Sequence, residues 1–229
     1  MRVAVLALLT AFACIAVSGQ YNVVTEAEFK TACGMTVPVP LSIQAPAYRM
    51  TIETKSAMEG RPSSDYASRN VTSYQNRTTW HRLLESAFGS TKRISEDIFF
   101  GGKMYSRTGD GEWIEQDLSN APNAPVPAKS ETRYLSIEYR LLPDESIRGT
   151  QVRVCEKFEV AAVKIERSNY ETRRESTSKY WVTDEGLLKS ENSYRNAGEK
   201  GTTTSWIKNE WEVDPTIKVT PPQKFAQQP

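Results

Sequence analysis

The sequence predicts a mainly β protein of the α+β class, built on a curved or barrel-like antiparallel sheet with one or a few helices against it. Apolar residues recur at every second position over several runs, which is typical of strands with one buried face. Turn-forming sequences rich in Gly, Asp and Asn separate these runs at short intervals. The runs amount to eight or more strands. An antiparallel sheet is the arrangement that joins so many strands through hairpins.

One short helix is predicted from Thr25 to Cys33. Thr25 is a typical helix N-cap, and Glu28 follows three residues later, as in a capping box. The apolar positions of this segment are Ala27, Phe29 and Ala32. Three prolines between residues 38 and 46 then exclude helix and favour an extended chain.

The strand pattern begins at Tyr48, where apolar and polar residues alternate as far as Glu53. Further strands are predicted around Trp80, at 94–107, after Trp113, at 152–165, around Trp181, at 187–194 and at 202–213. Hairpin turns are predicted at Thr108–Gly111 and Thr183–Gly186 from their composition. Residues 132–142 fit a strand or a short helix, and the pattern leaves both open.

The N-terminus has the features of a secretory signal peptide over residues 1–19: one basic residue, an apolar run and small residues before Gln20. We therefore expect a single β-rich domain at 20–220 and a flexible tail at 221–229, in a periplasmic or secreted protein. A lipid anchor at Cys14 is a minor alternative, since Ala11–Cys14 loosely resembles the box before a lipidated cysteine. The apolar run is too short to span a bilayer comfortably, so we expect a protein that does not cross the membrane.

Two cysteines, Cys33 and Cys155, remain after the signal peptide. An even pair in an oxidising compartment predicts a disulfide, with two free buried thiols as the alternative. Without Arg2 the basic residues fall from 29 to 28 and equal the 28 acidic ones. A net charge near zero argues against a nucleic-acid partner, because phosphate binding needs a basic surface.

The sequence has few of the residue patterns that are typical of active sites, and we expect a protein that is not an enzyme. His81 is the single histidine, no G-x-S-x-G elbow is present, and neither a zinc site nor a cofactor is expected. Paired carboxylates leave a weaker alternative, a carboxylate-based hydrolase. Its candidates, close only in sequence, are Glu96, Asp97, Glu112, Glu115 and Asp117.

Three stretches together resemble the lipoprotein-carrier fold family of bacterial envelopes, which includes LolA-like and mycobacterial LprG-like proteins. The first is the predicted hairpin FFGGKMY at 99–105 with GDGEW at 109–113. The others are YWVTDEGLLK at 180–189 and VDPTIKVTP at 213–221. The resemblance implies a strongly curved, unclosed barrel whose concave apolar face is covered by helices and can hold acyl chains.

From this resemblance and the strand pattern we expect an exported protein that binds a lipid, a lipoprotein acyl chain or another apolar molecule. Other envelope proteins are possible partners. Side chains of one parity on a strand share a face, and the expected cavity lining is Tyr48, Met50, Ile52, Trp80, Phe100, Met104, Tyr180 and Val182. The alternative is a secreted β-sandwich module that recognises carbohydrate or protein through exposed aromatic side chains.

Overall fold

The computed structural model describes residues 21–34, 40, 47–116, 130–165, 171–199 and 201–226. The predicted signal peptide and Cys14 lie outside these residues. One helix, α1, spans Glu26–Cys33. The strands are β1 Asn22–Val24, β2 Tyr48–Met58, β3 Tyr66–Asn76, β4 Thr79–Phe88, β5 Thr91–Phe100, β6 Lys103–Thr108, β7 Ile114–Gln116, β8 Ser130–Ile147, β9 Thr150–Ile165, β10 Glu171–Thr183, β11 Gly186–Gly198 and β12 Gly201–Val213.

The twelve strands form one antiparallel sheet, in the order β1-β8-β9-β10-β11-β12-β2-β3-β4-β5-β6-β7. It consists of two meanders, β2 to β7 and β8 to β12, joined where β12 pairs with β2. The sheet is curved and not closed, because β1 and β7 remain its two edges. These features confirm the predicted fold class. The segment that the sequence left open, 132–142, lies within β8 and pairs with β9.

The local signals account for the helix and for the hairpins. The Thr25 hydroxyl accepts a hydrogen bond from the Glu28 N–H, and the Glu28 carboxylate accepts one from the Thr25 N–H at 2.8 Å. This capping box fixes the start of α1. Gly34 follows with φ of 81°, a left-handed conformation that ends the helix. Gly109, with φ of 56°, makes the β6–β7 turn in the same way.

Partners across the strands share a face of the sheet, and the register therefore sorts the side chains into two faces. The α1 face carries Ile52, Cys155 and Tyr180 in one cross-strand row. The groove face carries Lys55, Ala67 and Trp206 in another row. These two names are used below for the whole of each face.

Helix α1 packs on the α1 face over β8 to β11. Phe29 is fully buried there with its ring 5.0 Å from that of Tyr139. Cys33 and Cys155 form a disulfide, with Cα atoms 6.3 Å apart, which confirms the predicted bridge. The bridge joins the last residue of α1 to the middle of β9, and both half-cystines are buried.

The chain after β12 packs onto the groove face over β5 and β6. Val219 is buried against Ile98 and Tyr105, and its N–H donates to the Gln75 side chain at 2.9 Å. The ring of Phe225 lies 4.7 Å from that of Tyr105. Apolar side chains of residues 221–226 thus have partners on the sheet, and the predicted flexibility of the tail at 221–229 stays a prediction. No helix among the described residues is both long and apolar enough to span a membrane.

Candidate functional site

The groove face carries a recess of about 630 Å³ that contacts seven adjacent strands, from Phe158 on β9 to Ala87 on β4. Seven strands of a flat sheet would extend over about 29 Å at the usual spacing. Because one recess contacts them all, the sheet curves toward this side. The groove face is therefore concave here.

A second recess of about 550 Å³ continues the first toward β5. Both are lined by Lys55, Ala67 and Ala87, so they are two parts of one groove. We call the whole feature the concave groove. The volume of each recess lies within the range of about 300–1,000 Å³ typical of small-molecule sites.

A single cross-strand row forms the floor of the concave groove. In strand order it is Phe158, Thr177, Ser193, Trp206, Lys55, Ala67, Ala87 and Lys92. The two alanines face each other on β3 and β4 and have no side chain beyond Cβ. They leave open space between the longer side chains of the row. The aromatic side chains of the row are half-buried: Phe158 lies at its other end and Trp206 beside Lys55, with Thr177 and Ser193 between them.

The next row across the same face alternates in charge over eight strands. In order it is Arg140, Glu156, Lys179, Glu191, Lys208, Glu53, Arg69 and Glu85. Glu53 lies 3.7 Å from Arg69 and 3.9 Å from Lys208. The concave groove thus has a floor row with four apolar side chains, Phe158, Trp206, Ala67 and Ala87, beside a row that is charged throughout, an arrangement that suits an amphipathic molecule.

The tip of the β8–β9 hairpin covers the groove face at one flank. Glu145 accepts a hydrogen bond from the Trp181 indole at 2.8 Å and pairs with Lys179 at 3.1 Å. Partial burial raises the pKa of Glu145, but these two hydrogen bonds outweigh it, so that its pKa is lowered. Trp181 is buried against Val152 and Val154. This end of the groove face is therefore part of the hydrophobic core. The groove lies on the part of the face that the β8–β9 hairpin does not cover.

Seven of the eight side chains predicted to line a cavity share the α1 face, opposite the concave groove. They are Tyr48, Met50, Ile52, Trp80, Met104, Tyr180 and Val182. Tyr180 and Val182 pack in the cluster under α1. Phe100 lies on the groove face beside Ile98, while Phe99 pairs with Met104. None of the eight lines the concave groove, and their role in binding stays a prediction.

The candidate carboxylates have basic partners and do not converge. Glu96 and Asp97 are neighbours on β5 and so point to opposite faces. Glu96 pairs with His81 at 2.6 Å, and Asp97 pairs with Arg82 at 2.6 Å. Glu115 lies 3.1 Å from Lys103, Glu112 lies 3.3 Å from Lys224, and Asp117 is outside the described residues. Within the described ranges no cluster of His, Cys, Asp and Glu that could hold a metal ion is found.

The sequence pattern did not indicate the residues of the concave groove. Ala67 and Ala87 carry little signal, because alanine is common in every kind of element. Lys55 and Trp206 are opposite each other on β2 and β12, strands far apart in the chain. The only available signal was the parity of Lys55, which places it away from Tyr48 and Ile52.

The fold and this site define a mainly β protein with one open, curved sheet and a groove on its concave face. No protein-family model matches the chain, and no curated protein matches its sequence. A comparison of structures finds similarity to the crystal structure of a LolA superfamily protein from Nitrosomonas europaea. The identity is 10%, the match covers 90% of this chain and 98% of that chain, and the TM-score is 0.29.

Proposed function

We propose that the protein is a non-enzymatic binding protein that holds the apolar chain of an amphipathic molecule in the concave groove. The observation that carries the proposal is the groove itself, with Ala67, Ala87, Trp206 and Phe158 as the apolar side chains of its floor row. A curved antiparallel sheet can offer such a surface without a conformational change.

The apolar chain supplies the free energy of binding. Each CH₂ group removed from water contributes about 0.8 kcal/mol, so a twelve-carbon chain offers about 9 kcal/mol if wholly buried. The concave groove is open along its length, and a bound chain would therefore realise only part of this energy. Moderate affinity, suited to release as well as capture, is the expected result.

The alternative module that binds through exposed aromatics has less support. The chain has five tryptophans, and each is buried or half-buried. Among the residues that the structure describes, four aromatic side chains are exposed: Tyr21 before β1, Tyr66 on β3, Phe88 on β4 and Tyr134 on β8.

The proposal includes export from the cytoplasm. The disulfide between Cys33 and Cys155 supports an oxidising compartment, since such bridges are rare where thiols are kept reduced. Sequencing the N-terminus of protein purified from its native host tests this part, with Gln20 as the expected first residue.

The binding of dodecyl maltoside below its micelle concentration tests the proposed function, measured by equilibrium dialysis. We expect Ala67→Trp to weaken binding about tenfold or more, because the indole occupies the floor that the alanine leaves open. Ala67 is exposed, so the variant should fold normally. The matched control is Thr91→Trp, an exposed position on the α1 face. No binding by the wild type, or an equal loss in both variants, would contradict the proposal.

A further inference from the structure

We propose that the amphipathic ligand has an anionic end and that Lys55 and Lys92 bind it above the alanine floor. This inference rests on the proposed function and adds the chemical class of the ligand. The class is an alkyl chain that carries a carboxylate, phosphate or sulfate group.

The two lysines occupy the same cross-strand row. Lys55 is on β2 and Lys92 on β5, with Ala67 and Ala87 between them on β3 and β4. Both lysines line the second recess of the concave groove, and both are exposed. Because the alanines end at Cβ, the two long, flexible ammonium side chains can lean toward each other over the floor. The row thus places two positive charges around one open space.

Neither lysine has its charge neutralised within the described chain. No carboxylate of the described residues lies within 4.0 Å of either ammonium group. Lys55 contacts the Trp206 ring instead, at 5.3 Å from its centroid.

The acidic residues of the same recess face other cations. Glu53 lies near Arg69 at 3.7 Å and Lys208 at 3.9 Å. Glu85 stands opposite Arg69 in the register. The recess therefore contains more positive than negative charge on its groove face, with Lys55, Arg69 and Lys92 against Glu53 and Glu85.

The position of the lysines also matches the polarity of the concave groove. The two aromatic side chains of the floor row, Phe158 and Trp206, lie on one side of Lys55, and Lys92 lies on the other. A chain seated against Trp206 would bring its polar end to the space between the lysines. A charged group in partial contact with two ammonium groups binds more tightly than an uncharged one, and salt weakens this preference.

The test compares dodecyl phosphate, dodecyl maltoside and inorganic phosphate, with the amphiphiles below their micelle concentrations and at low ionic strength. The wild type should bind dodecyl phosphate about tenfold more tightly than dodecyl maltoside, a difference of about 1.4 kcal/mol. In Lys55→Gln/Lys92→Gln the preference should fall to about threefold or less, because dodecyl phosphate should lose more affinity than dodecyl maltoside does. The control Lys103→Gln/Lys164→Gln removes the same charge at exposed positions outside the concave groove and should keep the preference.

The other outcomes separate the two proposals. Equal binding of both amphiphiles by the wild type, or a preference that survives in Lys55→Gln/Lys92→Gln, overturns the anionic end and leaves the proposed function standing. If the control variant loses the preference for dodecyl phosphate equally, the proposed anionic end is overturned too, since net charge alone would explain the result. If neither amphiphile binds, or inorganic phosphate binds as tightly as dodecyl phosphate, the apolar chain has no role and both proposals fail.

Discussion

Removal of the disulfide should cost this protein a large part of its stability. The change is the double substitution Cys33→Ala/Cys155→Ala, which breaks the bond between α1 and β9. Alanine keeps both positions apolar, as their burial requires. The rest of the α1 contact, centred on Phe29, stays in place.

The magnitude follows from the length of the loop that the bond closes. The two half-cystines are 122 residues apart in the chain. For a loop of this length, the loss of unfolded-chain entropy corresponds to about 5 kcal/mol at 25 °C, while disulfides typically contribute 2–4 kcal/mol. The free energy of unfolding of natural domains is only about 5–15 kcal/mol. We therefore expect the free energy of unfolding of the variant to be about 3–5 kcal/mol lower than that of the wild type.

Urea unfolding followed by far-UV circular dichroism measures this loss. The oxidised wild type, the wild type with reductant and the double variant are compared. Reductant should bring the wild type close to the double variant and should leave the double variant itself unchanged. The unfolding slope should also increase without the bridge, because the unfolded chain exposes more surface. A loss below about 1 kcal/mol would refute the reasoning.

Two further predictions concern the cover of each face. Phe29→Ala should lower the free energy of unfolding by about 3–5 kcal/mol in the same urea assay, because it empties a fully buried site, whereas exposed Lys30→Ala should change little. Because the pKa of Glu145 is lowered in the folded protein, its ionised carboxylate stabilises the fold fully at pH values above 4.5, the ordinary pKa. This stabilisation is lost as the pH falls through the lower pKa of the folded protein. The difference in free energy of unfolding between wild type and Glu145→Gln should thus narrow between pH 7 and pH 3, measured by urea unfolding at each pH. A difference that is independent of pH would contradict this.

Local signals in the sequence were sufficient for the helix and the hairpins, and the even pair of cysteines was sufficient for the disulfide. The capping box at Thr25 and the glycine-rich turns act over a few residues, and the structure has them where the sequence indicates. Parity along single strands was also reliable: Tyr48, Met50 and Ile52 share a face.

Parity was not reliable across a hairpin. The Gly101–Gly102 turn pairs Phe100 with Lys103, and therefore Phe99 with Met104. A two-residue loop always pairs even with odd numbers, so residues of equal parity on its two strands lie on opposite faces. This is why Phe100 and Met104 lie on opposite faces of the sheet.

The concave groove depended on pairings that no short pattern contains. It forms only because β12 pairs with β2, which joins the two meanders. Without that contact Trp206 and Lys55 would not be neighbours. The direction in which the whole sheet curves is a property of all its strands together, and it decided which face became the groove.

The charged row beside the floor explains how this pairing is held in register. In the observed register Lys208 faces Glu53, and Trp206 faces Lys55. A slip of two residues that placed Lys208 opposite Lys55 would keep each side chain on its own face, but it would also place Glu210 opposite Glu53. Two like-charged pairs would then replace two opposite pairs, Lys208 with Glu53 and Glu212 with Arg49, and like charges directly opposite each other destabilise a sheet. Exposed ion pairs contribute little to stability by themselves. Here their value is selective, because repulsion disfavours this slip, which would move Trp206 from Lys55 to Ala57.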